Sequence, residues 1–181
     1  MDFKLSDQQA AFRDLMRDFA RKSISPVARE WELARRYPEE IVDEMRPMGL
    51  FGMLVPEAFG GISIDAVSYS IVFEEISRAW MGVAGILGSH SLATLMLARF
   101  GTAEQRARWL PDLASGKKRS GIALTEPQAG SDLQGIATVA RRVAITTSST
   151  AQRPGSPTLV TPIRFPCSSR QIPRRSPGIA A

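Results

Sequence analysis

The sequence predicts a mainly α protein: a helical region over residues 1–118, the first strand and polar turn of a β region over 119–142, and an irregular tail over 143–181. Three observations carry this. Apolar residues recur at helical spacing through residues 6–110, glycine and proline fall mainly between those runs, and from Ser120 the pattern changes to a short apolar run followed by turn residues. With 44% hydrophobic and 23% charged residues in 181, the chain has the balance of one ordinary globular domain or of a fragment. No run of about 18 apolar residues stands out, so no membrane span is expected. The start, MDFKLSDQQAAF, lacks a basic-then-apolar leader, so a cytoplasmic location is expected. One cysteine, Cys167, and one histidine, His90, exclude an internal disulfide and make a poor metal set, so no metal is expected.

Charge divides the chain. Residues 1–142 hold all 18 acids against 18 basic side chains, whereas residues 143–181 hold five arginines, six of the 12 prolines and no acid or lysine.

Ser6 and Gln9 have capping-box spacing, and Phe12, Leu15, Met16 and Phe19 share one face, predicting a core-facing helix over residues 6–21. Ser25-Pro26 starts a second helix running to about Arg36, and Tyr37-Pro38 breaks it. Pro38 starts a third, with Glu39 and Glu40 at its positive end, Ile41, Val42 and Met45 inward, and Gly49 as its C-cap. Residues 50–61, LFGMLVPEAFGG, read as a buried loop in which Gly60 and Gly61 supply positive φ. Asp65 opens a fourth helix. Its Glu74 and Glu75 are adjacent, so they point apart and suit a solvated face or an ion pair better than a shared site. Residues 81–100 are apolar nearly all round, predicting a helix buried on most sides or lining an apolar pocket, with His90 as a satisfied interior histidine. Thr102 and Gln105 cap the next helix, which Pro111, Gly116 and the cations Lys117, Lys118 and Arg119 end.

Gly121–Thr125 reads as a buried strand, and Glu126-Pro127-Gln128-Ala129-Gly130-Ser131-Asp132 as a polar turn. Gly130 admits close approach of a ligand, and the N–H groups of Gly130, Ser131 and Asp132 suit an anion. Thr125 adds a hydroxyl at the strand end. Such a turn suits a cofactor with a flat polar ring and a phosphate, and an ordinary proline–glycine turn has the same composition.

The segment ALTEPQAGSD, Ala123–Asp132, resembles the first signature of the acyl-CoA dehydrogenase family, near LTEPxAGSD. Upstream, Leu54-Val55-Pro56-Glu57 through Gly60-Gly61 resembles the family's VPEEYGG loop, Phe73-Glu74-Glu75-Ile76-Ser77 its EEL/I helix, and Gly101–Gln105 to Trp109-Leu110-Pro111 its GT-EQK-YLP helix. The resemblance spans about residues 3–140. It implies a flavoprotein that removes two hydrogens from the α and β carbons of an acyl-CoA thioester, binds FAD and passes electrons to an electron-transfer acceptor. Residues 1–118 would be the all-helical N-terminal domain, followed by the first strand and flavin turn of the middle β-barrel domain. Cofactor-binding residues would be Ile122, Leu124, Thr125, Gly130 and Ser131. Leu124 and Thr125 would lie at the flavin ring and Gly130 and Ser131 at the pyrophosphate, with Ser131 also near the CoA arm. Residues 81–97 would line the acyl pocket. The resemblance places the catalytic base in a C-terminal helical domain, so Glu126 does not take that role and no catalytic residue is expected here. Family dimers or tetramers form largely through parts outside this segment, and this chain is not expected to form them. An acyl-CoA oxidase or flavin monooxygenase on the same scaffold, or a non-enzymatic helical module with a basic tail, are the alternatives. A nucleic-acid partner is not expected, since the tail has no lysine and few aromatics.

After Arg142 the resemblance stops. The family continues near YVVNGTKTWITN, whereas this chain reads VAITTSSTAQRPGSPTLVTPIRF. Codons permitted for Val143 onward (GTG GCG ATC ACT ACG TCG TCA ACG and so on), read one base earlier, encode GDHYVVNGTKTWITNARHAD. Residues 143–181 are therefore expected to be a frameshifted, disordered tail, and the chain a truncated fragment that binds FAD weakly or not at all and does not turn over. Reading the gene across codons 136–160 checks this: the neighbouring frame should encode YVVNGTKTWITN, and any other set of bases removes the frameshift account.

Overall fold

Ser6 opens the first helix as its spacing predicts: its Oγ accepts the Gln9 N–H at 3.2 Å, and Gln9 Oε1 accepts the Ser6 N–H at 3.1 Å. The structure, a computed structural model, describes residues 4–143 and 146–150. Helix α1 (Asp7–Phe19) turns Phe12, Met16 and Phe19 into the core, but Leu15 is exposed, because the buried stripe runs through Met16 and leaves Leu15 to one side. The chain then passes without a break through a π-helical turn, Ala20–Ile24, into α2 (Ser25–Leu33), with Pro26 in its first turn where no N–H is needed. The helix ends at Leu33 rather than near Arg36, since Arg35 adopts a left-handed φ of 54°. Pro38 precedes α3 (Glu39–Met45), which buries Ile41, Val42 and Met45.

The loop after α3 is buried, as expected: Leu50, Phe51, Met53 and Val55 have almost no exposure. The two glycines at its end serve different needs. Gly60 has φ 81°, whereas Gly61 has no positive φ, and a Cβ there would lie 1.9 Å from the Val55 carbonyl oxygen. The expectation of positive φ at Gly61 is corrected to one of close backbone approach.

Asp65 caps α4 (Ala66–Ala79), accepting the N–H groups of Val67 and Ser68. Helix α4 packs along α1, and its buried Glu75 receives Arg17 of α1 through Nη2 at 2.7 Å and Nε at 3.2 Å. The neighbouring Glu74 points elsewhere and pairs with Arg78 at 2.5 Å. Both carboxylates are thus ion-paired.

Helix α5 (Met81–Phe100) departs from expectation twice. It is not buried on most sides: Val83, Ala84, Leu87, His90, Ser91 and Thr94 face inward, while Met81, Leu92, Met96 and Phe100 are exposed along the opposite face. It is also long and apolar enough to cross a membrane by length and composition, with a mean hydropathy of 1.5. The expectation that no such segment exists fails because scattered glycine, serine and histidine break the apolar run while its aliphatic residues keep the average high. A third of that stretch (33%) is buried within the fold. Helix α6 (Ala103–Ala114) carries the second capping box, Thr102 with Gln105. Pro111 sits inside α6 rather than ending it: the lost N–H and the crowding at the carbonyl four residues back are borne by a helix whose Leu110, Leu113 and Ala114 are buried. The turn after Ala114, with Gly116 at φ 69°, ends the helix.

The largest core cluster joins α1 to α5 through Met16, Phe19, Met45, Phe51, Ile76, Trp80 and Leu87. A smaller one joins Val55, Leu110 and Ala114. This helical unit reaches Ile122, and residues from Ala123 form a second unit. Gly121–Thr125, which runs from the end of the first unit into the second, contributes no strand: among the described residues no strand pairs with it, and an extended segment without a partner forms no ladder. The strands are instead β1 (Val139–Val143) and β2 (Thr146–Thr150), antiparallel, with Val139 opposite Thr150 and Val143 opposite Thr146. The irregular tail expected from residue 143 is corrected over this hairpin, whose valines and threonines favour strand geometry. The rest of that expectation, residues 144–145 and 151–181, lies outside the described residues.

Gly61→Ala is expected to destabilise the helical unit by more than about 3 kcal/mol, because backbone must move, and Gly60→Ala by about 1–2 kcal/mol, the cost of a left-handed non-glycine residue. Thermal or urea unfolding of both variants checks the order.

Candidate functional site

The polar turn is built around one carboxylate. Glu126 and Ala129 form an isolated antiparallel bridge, with Glu126 N–H donating to Ala129 O at 2.8 Å and Ala129 N–H returning to Glu126 O at 3.1 Å. Pro127 and Gln128 make the tight turn between them. The Glu126 side chain is buried, and each of its oxygens accepts two donors. Oε2 takes the Ala137 N–H at 2.8 Å and Gln128 Nε2 at 2.6 Å, and Oε1 takes the Thr138 N–H at 3.1 Å and the Thr138 hydroxyl. Asp132 accepts the Gln134 N–H at 3.0 Å and leads into the short helical turn Leu133–Gly135.

This geometry sorts the expected cofactor residues. Ile122 is half-buried at the end of the helical unit. Leu124, Thr125, Gly130 and Ser131 are exposed in the second unit. The bridge brings Thr125 and Gly130 together, since they are the next residues outward on its two arms. Gly130 has no positive φ, and a Cβ on it would meet nothing within 4 Å. Neither strain nor crowding within the chain calls for glycine there. The Thr125 and Ser131 hydroxyls and the Gly130 backbone are exposed, groups of the kind a polar, phosphate-bearing cofactor takes. The parts that Glu126, Gln128 and Thr138 play were not legible in the sequence, because the donors come from residues 11 and 12 positions downstream.

His90 is a satisfied interior histidine. Its Nε2 lies 3.1 Å from the Leu113 carbonyl and its Nδ1 3.1 Å from the Ser120 N–H. A carbonyl only accepts and a backbone N–H only donates, so Nε2 carries the proton and Nδ1 is bare. Phe51 meets the ring edge-on at 5.1 Å. Burial pushes the imidazole down to about 4, and the positive charge of Arg119 adds to this against the pull of the accepting carbonyl.

A helical domain followed by a Thr–Glu–Pro–x–Ala–Gly–Ser turn resembles the acyl-CoA dehydrogenase scaffold, and comparison with known proteins makes the assignment. The family description "Acyl-CoA dehydrogenase, N-terminal domain" matches residues 6–117. The chain belongs to the acyl-CoA dehydrogenase family. An acyl-CoA dehydrogenase of Bacillus subtilis (strain 168) is 40% identical over 137 residues, 75% of this chain and 36% of that protein. The butyryl-CoA dehydrogenase structure from Megasphaera elsdenii superimposes with a TM-score of 0.71 at 35% identity, over 77% of this chain and 38% of that one. An acyl-CoA dehydrogenase from Bacillus anthracis complexed with FAD gives 0.74 at 33% identity, over 82% and 26%. The chain thus spans little more than a third of the curated relative it matches.

Because the His90 imidazole is held neutral down to about 4 while an unfolded histidine titrates near its ordinary value of 6.5, the unfolded chain takes up a proton first as pH falls. The stabilisation is complete above about pH 6.5, declines through the window and is gone below about pH 4. Between about pH 7 and pH 5 the chain is expected to lose about 2 kcal/mol of stability. His90→Gln removes that slope, as urea unfolding at the two pH values would show. The carboxyls of Asp18, Asp65 and Asp112, held below their ordinary value chiefly by side-chain hydrogen bonds to Lys22, Ser68 and Lys118, lose their contributions only at lower pH.

Proposed function

We propose that this chain carries the acyl-binding helical domain and the flavin turn of an FAD-dependent acyl-CoA dehydrogenase, which oxidises the α,β bond of an acyl-CoA thioester and hands electrons to an electron-transfer acceptor. The observation that carries the reading is the exposed Thr125, Gly130 and Ser131 on a turn closed by Glu126, with open space over Gly130. FAD bound there would supply the two-electron acceptor for the hydrogens leaving the substrate.

The chain's own residues then have separable tasks. The Thr125 hydroxyl would donate to the flavin ring, Gly130 and Ser131 would hold the pyrophosphate through their backbone, and the Ser131 hydroxyl would also serve the CoA arm. Ile122 and Leu124 would give the ring apolar contact. On α5, the exposed Met81, Leu92 and Met96 offer an apolar wall for an acyl chain. Gly85 lies on the same face with nothing near its Cβ position, so a ligand can approach the helix backbone there. A base to take the α proton is not among these residues: Glu75 is held by Arg17, and Glu126 is spent on its four donors. Residues 143–181, in this reading, are the out-of-frame continuation of the family's middle domain.

Flavin fluorescence titration and acyl-CoA-dependent dye reduction test the proposal on the 181-residue chain. Weak FAD binding is expected, lowered at least about tenfold by Gly130→Val, which fills the open space, a change worth about 1.4 kcal/mol. No turnover is expected. Binding indifferent to Gly130→Val removes the flavin turn, and acyl-CoA-dependent turnover shows that a base is present after all.

A further inference from the structure

Glu126 sits inside the motif that the flavin reading rests on, yet it offers nothing to a ligand. Its side chain is 6% exposed, and its two oxygens are taken in pairs. A carboxylate is an acceptor only, and four donors are enough to offset its removal from water. The backbone of the same residue closes the tight turn with Ala129. One residue therefore closes two loops. Its main chain closes the four-residue turn, and its side chain closes the longer span to Ala137 and Thr138.

Between the two closures lies the segment from Gly130 to Ile136. Both ends of that segment are held by Glu126, directly at residues 137–138 and through Ala129 at the other end. The hydrogen bonds inside it are short-range: Asp132 to Gln134, the Gly135 N–H to Asp132 O at 3.3 Å, and the Ile136 N–H to Leu133 O at 3.3 Å. Gly135 also packs on the turn, where an added Cβ would lie 3.4 Å from the Gln128 carbonyl oxygen. Gly130 and Ser131 are exposed at its start. Without the clamp this end of the segment loses its charged anchor, and a ligand would have to order it on binding.

We propose that Glu126 is a positioning residue of the flavin turn: its buried carboxylate staples residues 137–138 back to the Glu126–Ala129 bridge, so that the Gly130–Ser131 backbone is already in its cofactor-binding shape before the cofactor arrives. This rests on the flavin reading above. The donor partners follow from it. Thr138 matters through its hydroxyl and not through its methyl group, and Gln128 completes the Oε2 pair from the neighbouring turn.

The test uses the 181-residue chain, with hydrogen exchange read at the Ala137 and Thr138 amides and FAD affinity read by flavin fluorescence. Glu126→Gln keeps the shape but replaces one oxygen by an amide that donates, so whichever oxygen is lost, two donors lose their acceptor. Exchange at one or both amides should rise at least about tenfold, and FAD affinity should fall at least about tenfold. Thr138→Val should move both readouts in the same direction by less. Thr138→Ser, which keeps the hydroxyl, should leave both at wild-type values; that rescue separates hydrogen bonding from packing. The thermal midpoint of the helical unit serves as the folding control and should stay unchanged.

Unchanged amide exchange in Glu126→Gln overturns the staple. Faster exchange with undiminished FAD affinity overturns the positioning role while leaving the staple in place. Equal effects of Thr138→Ser and Thr138→Val overturn the role of the hydroxyl. No FAD binding by the wild-type chain overturns the flavin reading and the positioning role with it, and the exchange result then reports the staple alone.

Discussion

The bare Nδ1 of a neutral imidazole is the constraint from which the helical unit's exit follows. His90 lies inside α5, yet its hydrogen bonds reach the last turn of α6 and the backbone and hydroxyl of Ser120, and its ring meets Phe51 of the buried loop edge-on. The Leu113 carbonyl is one of the acceptors that a helix leaves unpaired at its C-terminal end. His90 satisfies it from the side while Gly116 caps it along the chain at 3.0 Å. The Ser120 N–H, which no strand receives, is satisfied by the other ring nitrogen. A protonated ring would set two N–H groups against each other at Ser120. One uncharged side chain therefore ties together α5, α6, the loop at Phe51 and the segment by which the chain leaves the helical domain.

The same rule of full partnering governs the two buried carboxylates. Glu75 is held by a two-point contact from Arg17 with Arg78 nearby at 3.6 Å, and it fixes the register of α1 against α4. Glu126 is held by backbone and side-chain donors and fixes a turn. A buried carboxylate is costly to desolvate and is kept where its partners are complete. In both cases the charge organises structure instead of reacting. A carboxylate within a signature motif is easily mistaken for an acid or base, and here four hydrogen bonds tie it to its own turn and to Ala137 and Thr138.

The outer face of α5 has the opposite character. Met81, Leu92, Met96 and Phe100 are exposed, and Gly85 stands among them without strain or crowding to require it. Glycine inside a helix costs about 0.5–1 kcal/mol relative to alanine. The described helical unit does not recover that cost through its own packing. The family to which the chain belongs does not by itself say what covers that face.

Much of the helical domain is local and was legible in the residues. Both capping boxes, the Asp65 cap, the Pro38 start and the positive φ of Gly60 follow from side chains within four residues of the backbone groups they satisfy. The polar turn at Glu126–Ala129 was legible from its proline and glycine. Tertiary contact decided the rest. Leu15 sits on the predicted stripe but outside the contact with α4, Pro111 lies within a helix that its neighbours support, and Gly61 is required by the Val55 carbonyl rather than by its own φ. The expected strand at Gly121–Thr125 needs a partner, which local propensity cannot supply, while Val139–Val143 finds one a few residues away. The roles of His90, Glu75 and Glu126 depend on donors and acceptors distant in the chain. Local hydrogen bonding and periodicity can be read from neighbouring residues, whereas partnership across the fold exists only once the chain has closed.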